Sequence, residues 1–503
     1  MSGGLPKGWV LSSLDELVGK IGLLVDGDWI ESKDQDPNGE IRLFQLADVG
    51  DACFLDKSNR FINEEAFARL HCTRVLPGDI LLARMPHPLG RACILPKFSY
   101  KAITAVDVCI IRPNNKFTDV AWLMYFINSY DFRNKISALS SGTTRKRISR
   151  SNLSKIPLPL PPLNEQKRIV AKLDAIMPRI EAVKERLEKI PSILKRFRQS
   201  VLTAAVTGKL TEKWREEHPE VESADGLLNE KMRMDKRHYA SYWNDFDIPQ
   251  KWICALLKNI ADLRLGKMLD SSKNKGVSML YLRNINVRWF GFDLESLKEI
   301  RITQAEKEAL SIQPGDVFVC EGGEPGRSAV WKASESNITF QKALHRVRMK
   351  IAFLPDLLVY NLKVDADKQK LDELFTGSTI KHFTGRSLAG YPVAIPPLDE
   401  QKEIVRQVDK LFALADKVEE RYQKARARVD ALAQSVLAKA FRGELVPQNP
   451  DDEPAEILLQ RIQEEKAKME TELKTASRSA HETRKNGATT QRARSEEKQA
   501  SEP

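Results

Sequence analysis

Residues suited to meeting a polyanion are the first chemistry this sequence offers. The stretch Thr143-Thr144-Arg145-Lys146-Arg147-Ile148-Ser149-Arg150 carries four cations in eight residues. Further along lie Gln341, Lys342 and His345, then Lys381, His382 and Arg386. Lysine and arginine pair with phosphate oxygens, which supplies affinity and register but no sequence choice. Arginine, glutamine and asparagine present paired hydrogen-bonding groups that match guanine or adenine edges in the major groove. Gln45, Arg84 and Arg91 are candidates for that role in the first part of the chain, with Arg283, Asn284, Asn286, Arg327 and Gln341 in the second. The chemistry expected from these types is nucleic-acid binding.

Bond-making machinery does not accompany them. There is no G-x-x-x-x-G-K-[ST] phosphate loop. Both Pro-Pro pairs, Pro161-Pro162 and Pro396-Pro397, are followed by leucine rather than by the aromatic residue that an amino-methyltransferase turn requires. Gly322, Gly323 and Gly326 weakly resemble a phosphate cradle, but their place after the strand-like "DVFVC" reads better as a turn. The seven histidines never pair at ligand spacing, and Cys53, Cys72, Cys93, Cys109, Cys254 and Cys320 contain no C-x-x-C pair. No metal site is expected, and the cysteines read as buried, reduced thiols.

Charge agrees with the binding reading. The net charge is +11, and the last 53 residues hold 10 Lys+Arg against 12 Asp+Glu. The positive excess therefore lies in residues 1–450, with 70 cations against 57 anions, which favours a polyanionic partner. At 503 residues the chain exceeds one ordinary core. It shows neither a membrane-length apolar run nor a signal peptide, so the expected location is the cytoplasm.

The elements that position the basic residues come in two copies. Residues 156–210 and 391–445 align without a gap and share 21 identities in 55 positions. Agreement at one register over that length marks an internal duplication. Weaker echoes extend outward: "LPKGW" at Leu5 and "IPQKW" at Ile248, "LPGDILL" at Leu76 and "QPGDVFV" at Gln313, "ADGLLNE" at Ala224 and "AEILLQR" at Ala455. Ile169, Leu173, Ile176, Ile180, Val183, Leu187, Ile190, Leu194, Phe197 and Val201 follow 4-3 spacing, as do their partners from Ile404 to Val436. A 3.5-residue apolar period predicts a coiled-coil seam. Asn164 and Asp399 are the expected N-caps, Gly208 and Gly443 the C-terminal stops. Pro178 and Pro191 should kink or interrupt the first helix. The regions before each helix mix short β-like runs, Pro-Gly-Asp turns and helices, an α+β texture.

On the motifs "PLPPLNEQKRIVAKLD" and "AIPPLDEQKEIVRQVD", the endings "QSVLTAAVTGKL" and "QSVLAKAFRGEL", and the head–helix–head–helix order, the chain resembles the specificity subunit of a type I restriction–modification system. The resemblance covers about residues 5–450 and leaves the polar tail outside it. It implies an α+β fold with a first target recognition domain (1–155), a central long helix (156–215), a linker with a short helix (216–247), a second target recognition domain (248–390), a C-terminal long helix (391–450) and a partly disordered tail (451–503). Two long antiparallel helices would form an intramolecular coiled coil, with the halves related by a pseudo-twofold axis. Each head would read one half of a split, asymmetric double-stranded DNA site, and the helices would set the spacer and dock two modification subunits. Two restriction subunits would join for cleavage. S-adenosylmethionine, ATP and Mg²⁺ would be used by those partners and by no group of this chain, which would catalyse nothing. The motif residues Pro161, Pro162, Leu163, Glu165 and Gln166, with Pro396, Pro397, Leu398, Glu400 and Gln401, would serve frame and docking. Two other readings are a coiled-coil protein adaptor without DNA specificity and a self-sufficient DNA methyltransferase or nuclease.

Overall fold

Two turns of the same chemistry organise the strands of the two heads. A type II turn needs a left-handed residue in third place, and Gly78 and Gly315, each after a proline, both adopt φ +90°. Asp79 and Asp316 then accept the backbone N–H of Leu76 and Gln313 at 2.7 Å. Each buried carboxylate also closes a two-pronged ion pair at 2.6 and 2.7 Å, Asp79 with Arg112 and Asp316 with Arg348. The turns deliver the fully buried strands Ile80–Ala83 and Val317–Cys320.

A computed structural model describes residues 4–18, 21–86, 88–142, 145–243, 248–270, 274–334, 337–377, 379–472 and 475. It divides into two compact units, one formed by residues 1–186 with 425–503 and the other by 187–424.

In the first unit a four-stranded antiparallel sheet runs in the order Leu23–Asp26, Val108–Arg112, Ile80–Ala83, Ala92–Ile94. A second sheet has Ile41–Phe44 at its centre, antiparallel to Phe61–Ile62 and parallel to Ala102–Thr104. The second unit repeats both sheets and adds a hairpin, Val287–Arg288 with Gly291–Phe292, and a strand Arg233–Met234 beside its closing pair. Ala261–Leu265, Leu344–Met349, Val317–Cys320 and Ser328–Val330 form its larger sheet. Val277–Leu282 lies between antiparallel Lys298–Ile302 and parallel Ile338–Phe340 in the smaller one. A short antiparallel pair closes each head at its ends, Val10–Ser13 with Pro157–Leu160 and Ile253–Leu256 with Pro392–Ile395. The fold class is α+β, as the sequence texture indicated.

The helices begin one residue before the expected caps. They start at Leu163 and Leu398, so Asn164 and Asp399 fall inside the first turn. The proline carbonyls open the helical ladder instead, Pro162 accepting from Gln166 N–H and Pro397 from Gln401 N–H at 2.9 Å. Pro178 stays within the helix Leu163–Glu188, while Pro191 stands in the first turn of a second segment, Ile190–Val206, where its missing N–H costs nothing. The other copy has no internal proline and runs unbroken over Leu398–Phe441. Gly208 and Gly443 follow the helix ends with φ +72° and +76°.

Within each unit the helices pair antiparallel. In the first, Ile169 and Leu173 share a core with Leu437, Ala440 and Phe441, and Lys184 meets Asp430 at 3.4 Å. In the second, Val201 and Leu202 share a core with Ile404 and Val408, and Arg198 bonds Asp416 and Glu419 at 2.8 Å. The expected seam slips near the end of the long helix: Leu432 is 51% exposed, while Ala433 and Leu437 are buried. An α-helix drifts about 20° per heptad against a strict 3.5 repeat, and over four to five heptads the drift approaches one residue.

The tail is in part ordered. Residues 455–472 are helical and place Ala455, Leu458 and Ile462 in the first unit's core. The stretch from 476 onward, where disorder was expected, lies outside the described residues. Five of the six cysteines are buried as expected, and Cys53 is exposed.

Candidate nucleic-acid interface

Each head presents one basic loop, held by the same backbone device. Ser141 and Arg147 exchange backbone hydrogen bonds at 3.0 and 2.8 Å, and Thr376 and His382 do so at 2.9 Å. Gly142 and Gly377, with φ +107° and +92°, supply the reversal that lets the loop close. The base of each loop is tied to the sheet after the central strand: Ile148 N–H donates to the Arg84 carbonyl and Phe383 N–H to that of Glu321. Two short helices follow, Arg150–Ser154 capped by Ser149 and Gly385–Ala389 capped by Thr384.

Arg145, Lys146 and Arg150 are exposed on the first loop and its helix. Arg147 is half-buried, donating to the Val106 carbonyl and facing Asp107 at 3.6 Å. In the second unit Lys342, Lys381, His382 and Arg386 are exposed. Lys381 meets Asp372 at 2.7 Å, a surface pair that a phosphate can displace at little cost. The loop tip has a member that charge-based reading passed over: Ile380, 65% exposed, stands where the first copy has Arg145. Its exposure at the centre of a cationic loop is the signal; apolar side chains in that setting contact thymine methyls or wedge between base steps.

Several candidates for base reading face inward. Arg84, 3% exposed, donates to the Val106 carbonyl at 2.7 Å and pairs with Asp26 at 3.2 Å. Arg91 serves the Val49, Pro88 and Leu46 carbonyls at 2.5, 3.1 and 2.7 Å, stapling a loop to the sheet. Burial holds both guanidinium groups below their ordinary pKa. Asn286 is buried, accepting from Arg283 N–H and donating to the Asp293 carbonyl, both at 2.9 Å. Gln341 is buried next to the strand end. His345, 2% exposed, hydrogen-bonds the Phe383 carbonyl through Nε2 at 3.0 Å, and burial lowers its pKa. Arg84, Arg91 and Asn286, expected as base readers, and His345, expected at phosphate, are desolvated and bonded inward and so act as supports, while Gln341, also expected as a base reader, is buried. Arg283, Asn284 and Arg327 are half-buried around one turn, Asn284 donating to the Gly322 carbonyl and Arg327 to that of Asn284. Gln45 is half-buried at the start of a short turn.

The duplicated motif builds the joint beneath each loop. Glu165 and Gln166, Glu400 and Gln401 are all buried. Trp9 donates Nε1 to Glu165 Oε2 at 2.9 Å, and Trp252 to Glu400 Oε2 at 2.8 Å. Gln166 bridges the Pro161 carbonyl and Asp119 N–H; Gln401 bridges the Pro396 carbonyl and Leu354 N–H. A carboxylate and an amide thus lock the first turn of each long helix to its own head. Pro161, Pro162, Pro396 and Pro397 are buried with them, whereas Leu163 is half-buried and Leu398 exposed. The buried members of the motif hold the frame together from within. Among the described residues no group of three His, Cys, Asp or Glu is placed to hold a metal, and no helix is long and apolar enough to cross a membrane.

Comparison with known proteins agrees with this geometry. The sequence model of the type I restriction modification DNA specificity domain matches residues 6–192 and 249–425. The chain is 34% identical over 373 residues to the EcoKI specificity subunit of Escherichia coli K12, covering 71% of this chain and 74% of the relative. It is 31% identical over 374 residues to the StySPI specificity subunit of Salmonella potsdam, with the same two coverages. In fold it is similar to a chain from a study of complex assembly and conformational transition of the type I R-M system, with TM-score 0.64, 19% identity and coverage of 88% and 100%. The HsdS subunit from Thermoanaerobacter tengcongensis follows with TM-score 0.51, 18% identity and coverage of 88% and 99%.

Proposed function

This chain belongs to the family of type I restriction–modification DNA specificity subunits, and from that premise we propose that it reads a two-part DNA site, one half per head, without catalysing a reaction itself. One observation carries the reading: the heads share the order of their two main sheets and hang from equivalent joints, while their exposed loops differ in chemistry. Equivalent frames carrying unlike surfaces are what a protein needs to recognise two unlike sequences.

The residues divide the work accordingly. Arg145, Lys146 and Arg150 in the first head and Lys342, Lys381, His382 and Arg386 in the second neutralise phosphates and set each head's register on the duplex. Ile380, Asn284 and Arg327 would meet base edges in the second head. The 44-residue helix Leu398–Phe441, about 66 Å long at 1.5 Å per residue, supports the role of spacer. Linking two modest readers raises the effective concentration of the second once the first has bound. Two modification subunits would dock on the helical frame and methylate adenine with S-adenosylmethionine, and two restriction subunits would use ATP and Mg²⁺; this chain would hold none of these.

Adenine-methylation mapping in cells expressing this chain with a cognate modification subunit tests the proposal. A split, asymmetric motif that appears only with the chain present is expected. Exchange of residues 5–155 for another family member's head should change one half of that motif; a change in both halves, or methylation indifferent to the chain, refutes independent reading.

A further inference from the structure

The two joints are alike except in one respect, and the difference leaves a carboxylate without its cation. In the second unit both oxygens of Glu400 are used. Oε2 accepts from Trp252, and Oε1 accepts from Thr211 Oγ1 at 2.7 Å and Arg215 Nη1 at 2.5 Å. Arg215 also donates to the Gly208 carbonyl at 2.7 Å, so it is anchored beside the helix stop. In the first unit Glu165 is 1% exposed, its Oε2 accepts from Trp9, and its Oε1 has no hydrogen-bond partner among the described residues. Burial raises the Glu165 carboxyl, and the Trp9 bond and the charge of Arg168 only partly offset it.

The sequence explains the gap. Counted 235 residues on, Thr211 corresponds to Val446 and Arg215 to Pro450. The polar group at the equivalent position is the amide of Gln448. Its Nε2 lies 3.2 Å from where a Cβ on Gly443 would stand, as Arg215 Nη1 lies 3.1 Å from the same point on Gly208. That amide is uncharged and makes no bond to Glu165. Arg168 is committed to Asp452 by two bonds at 2.6 and 3.3 Å, and Lys7, which lines the cleft, makes no bond to Glu165 among the described residues. In place of Arg215 there is a cleft of about 460 Å³ whose lining includes Lys7, Trp9, Pro162, Glu165, Asp452 and Glu456. A mixed lining with flat apolar groups and three carboxylates against one lysine suits a planar guanidinium, which stacks on flat surfaces and bonds carboxylates with two donors.

We propose that this cleft is a receptor for an arginine side chain supplied by a partner polypeptide, which completes in the first unit the joint that Arg215 completes in the second. Identifying that polypeptide as a modification or restriction subunit rests on the functional reading above; the site itself rests on the contrast between Glu165 and Glu400. An incoming arginine would satisfy Glu165 and clamp the loop 448–454 against the first head, so partner binding and firmness of that head would be coupled.

The test uses the full chain and N-acetyl-arginine methylamide, with the citrulline analogue as an uncharged isostere. At about ten times its dissociation constant the arginine probe should raise the thermal midpoint by a few degrees, and the citrulline probe should not. Glu165→Gln, which keeps an acceptor for Trp9, should abolish the rise. Arg215→Ala opens the equivalent site at Glu400 and should enlarge the rise above wild type. No rise in the wild-type chain, an equal rise with citrulline, or an undiminished rise in Glu165→Gln overturns the receptor. No enlargement in Arg215→Ala overturns the parallel between the joints, and it decides the matter should Glu165→Gln fail to fold. Failure of the probe with the split methylation motif intact refutes this inference alone; loss of the motif with the probe response intact refutes only the functional reading.

Discussion

Trp9 and Trp252 offer a matched pair of substitutions whose difference can be worked out in advance. Each tryptophan is buried and donates one hydrogen bond to a buried carboxylate, at 2.9 and 2.8 Å. Replacement by phenylalanine removes about 40 Å³ in both cases, worth about 1 kcal/mol at ~24 cal/mol per Å³. Losing a donor to a charged acceptor costs about 1.5–3 kcal/mol, the upper end applying when nothing else serves the acceptor. After Trp252→Phe, Glu400 keeps Thr211 and Arg215. After Trp9→Phe, Glu165 keeps no hydrogen bond among the described residues. The expected costs are therefore about 2.5 kcal/mol for Trp252→Phe and about 4 kcal/mol for Trp9→Phe. The surplus of about 1.5 kcal/mol corresponds to roughly a tenfold difference in opening. Hydrogen-exchange mass spectrometry on the peptides covering Val10–Ser13 and Ile253–Leu256 reads the two joints separately in one molecule. Faster exchange at the first joint in Trp9→Phe than at the second in Trp252→Phe, by about that factor, is expected. Equal losses would mean that the partners of Glu400 contribute nothing, and the contrast between the joints would fall with them.

Other expectations follow from particular groups. Burial pushes the Asp365 carboxyl, which accepts from the Tyr391 hydroxyl at 2.6 Å, up from 3.8 to about 6. The folded pKa being the higher, ionisation opposes folding: the penalty is absent below about pH 4, grows as pH rises and is complete above about pH 6, reaching about 3 kcal/mol. Asp365→Asn should remove this dependence in urea titrations at pH 4 and 7.5; an unchanged gap between the two pH values would refute it. Asp79→Asn and Asp316→Asn, each breaking a buried two-pronged ion pair, should cost about 2–4 kcal/mol apiece and to a similar extent, measured by denaturant melting. Replacing Arg145, Lys146 and Arg150 together by glutamine should flatten the log–log salt dependence of DNA binding by about 2.7. Arg91→Gln should leave that slope unchanged and lower the melting temperature, since its guanidinium serves three carbonyls inside the head.

The duplication, the α+β texture, the helix stops at Gly208 and Gly443 and the interrupting effect of Pro191 were all readable from residue type and spacing. These features are set by local chemistry: a left-handed position, a missing N–H, an apolar period. What escaped the reading depended on contacts between distant segments. Arg84, Arg91 and His345 carry the same labels as Arg145 and His382, and only the fold tells which of them face inward. The seam at Leu432 failed because a period counted from one end accumulates helical drift. The Trp–Glu joints had a signal that went unused. "LPKGW" and "IPQKW" repeat alongside "PPLNEQ" and "PPLDEQ", and a duplicated indole donor next to a duplicated carboxylate is a pair waiting to be matched.

The first unit is assembled from the two ends of the chain, and this sets an order on how the protein is made. Its core needs Leu437, Ala440 and Phe441 from the long helix and Ala455, Leu458 and Ile462 from the segment after it. The second unit, residues 187–424, is contiguous. On a ribosome the N-terminal head is synthesised first yet waits for the last helical residues before Trp122 and Phe126 are covered, while the later head has all its parts at once. Folding thus runs opposite to synthesis. A message truncated between codons 425 and 440 leaves the second unit whole but omits Phe441, against which Trp122 and Phe126 pack at ring distances of 6.4 and 5.1 Å, so the first head presents open aromatic surface. The segment from 425 to 462 is thus what completes the core of the N-terminal head.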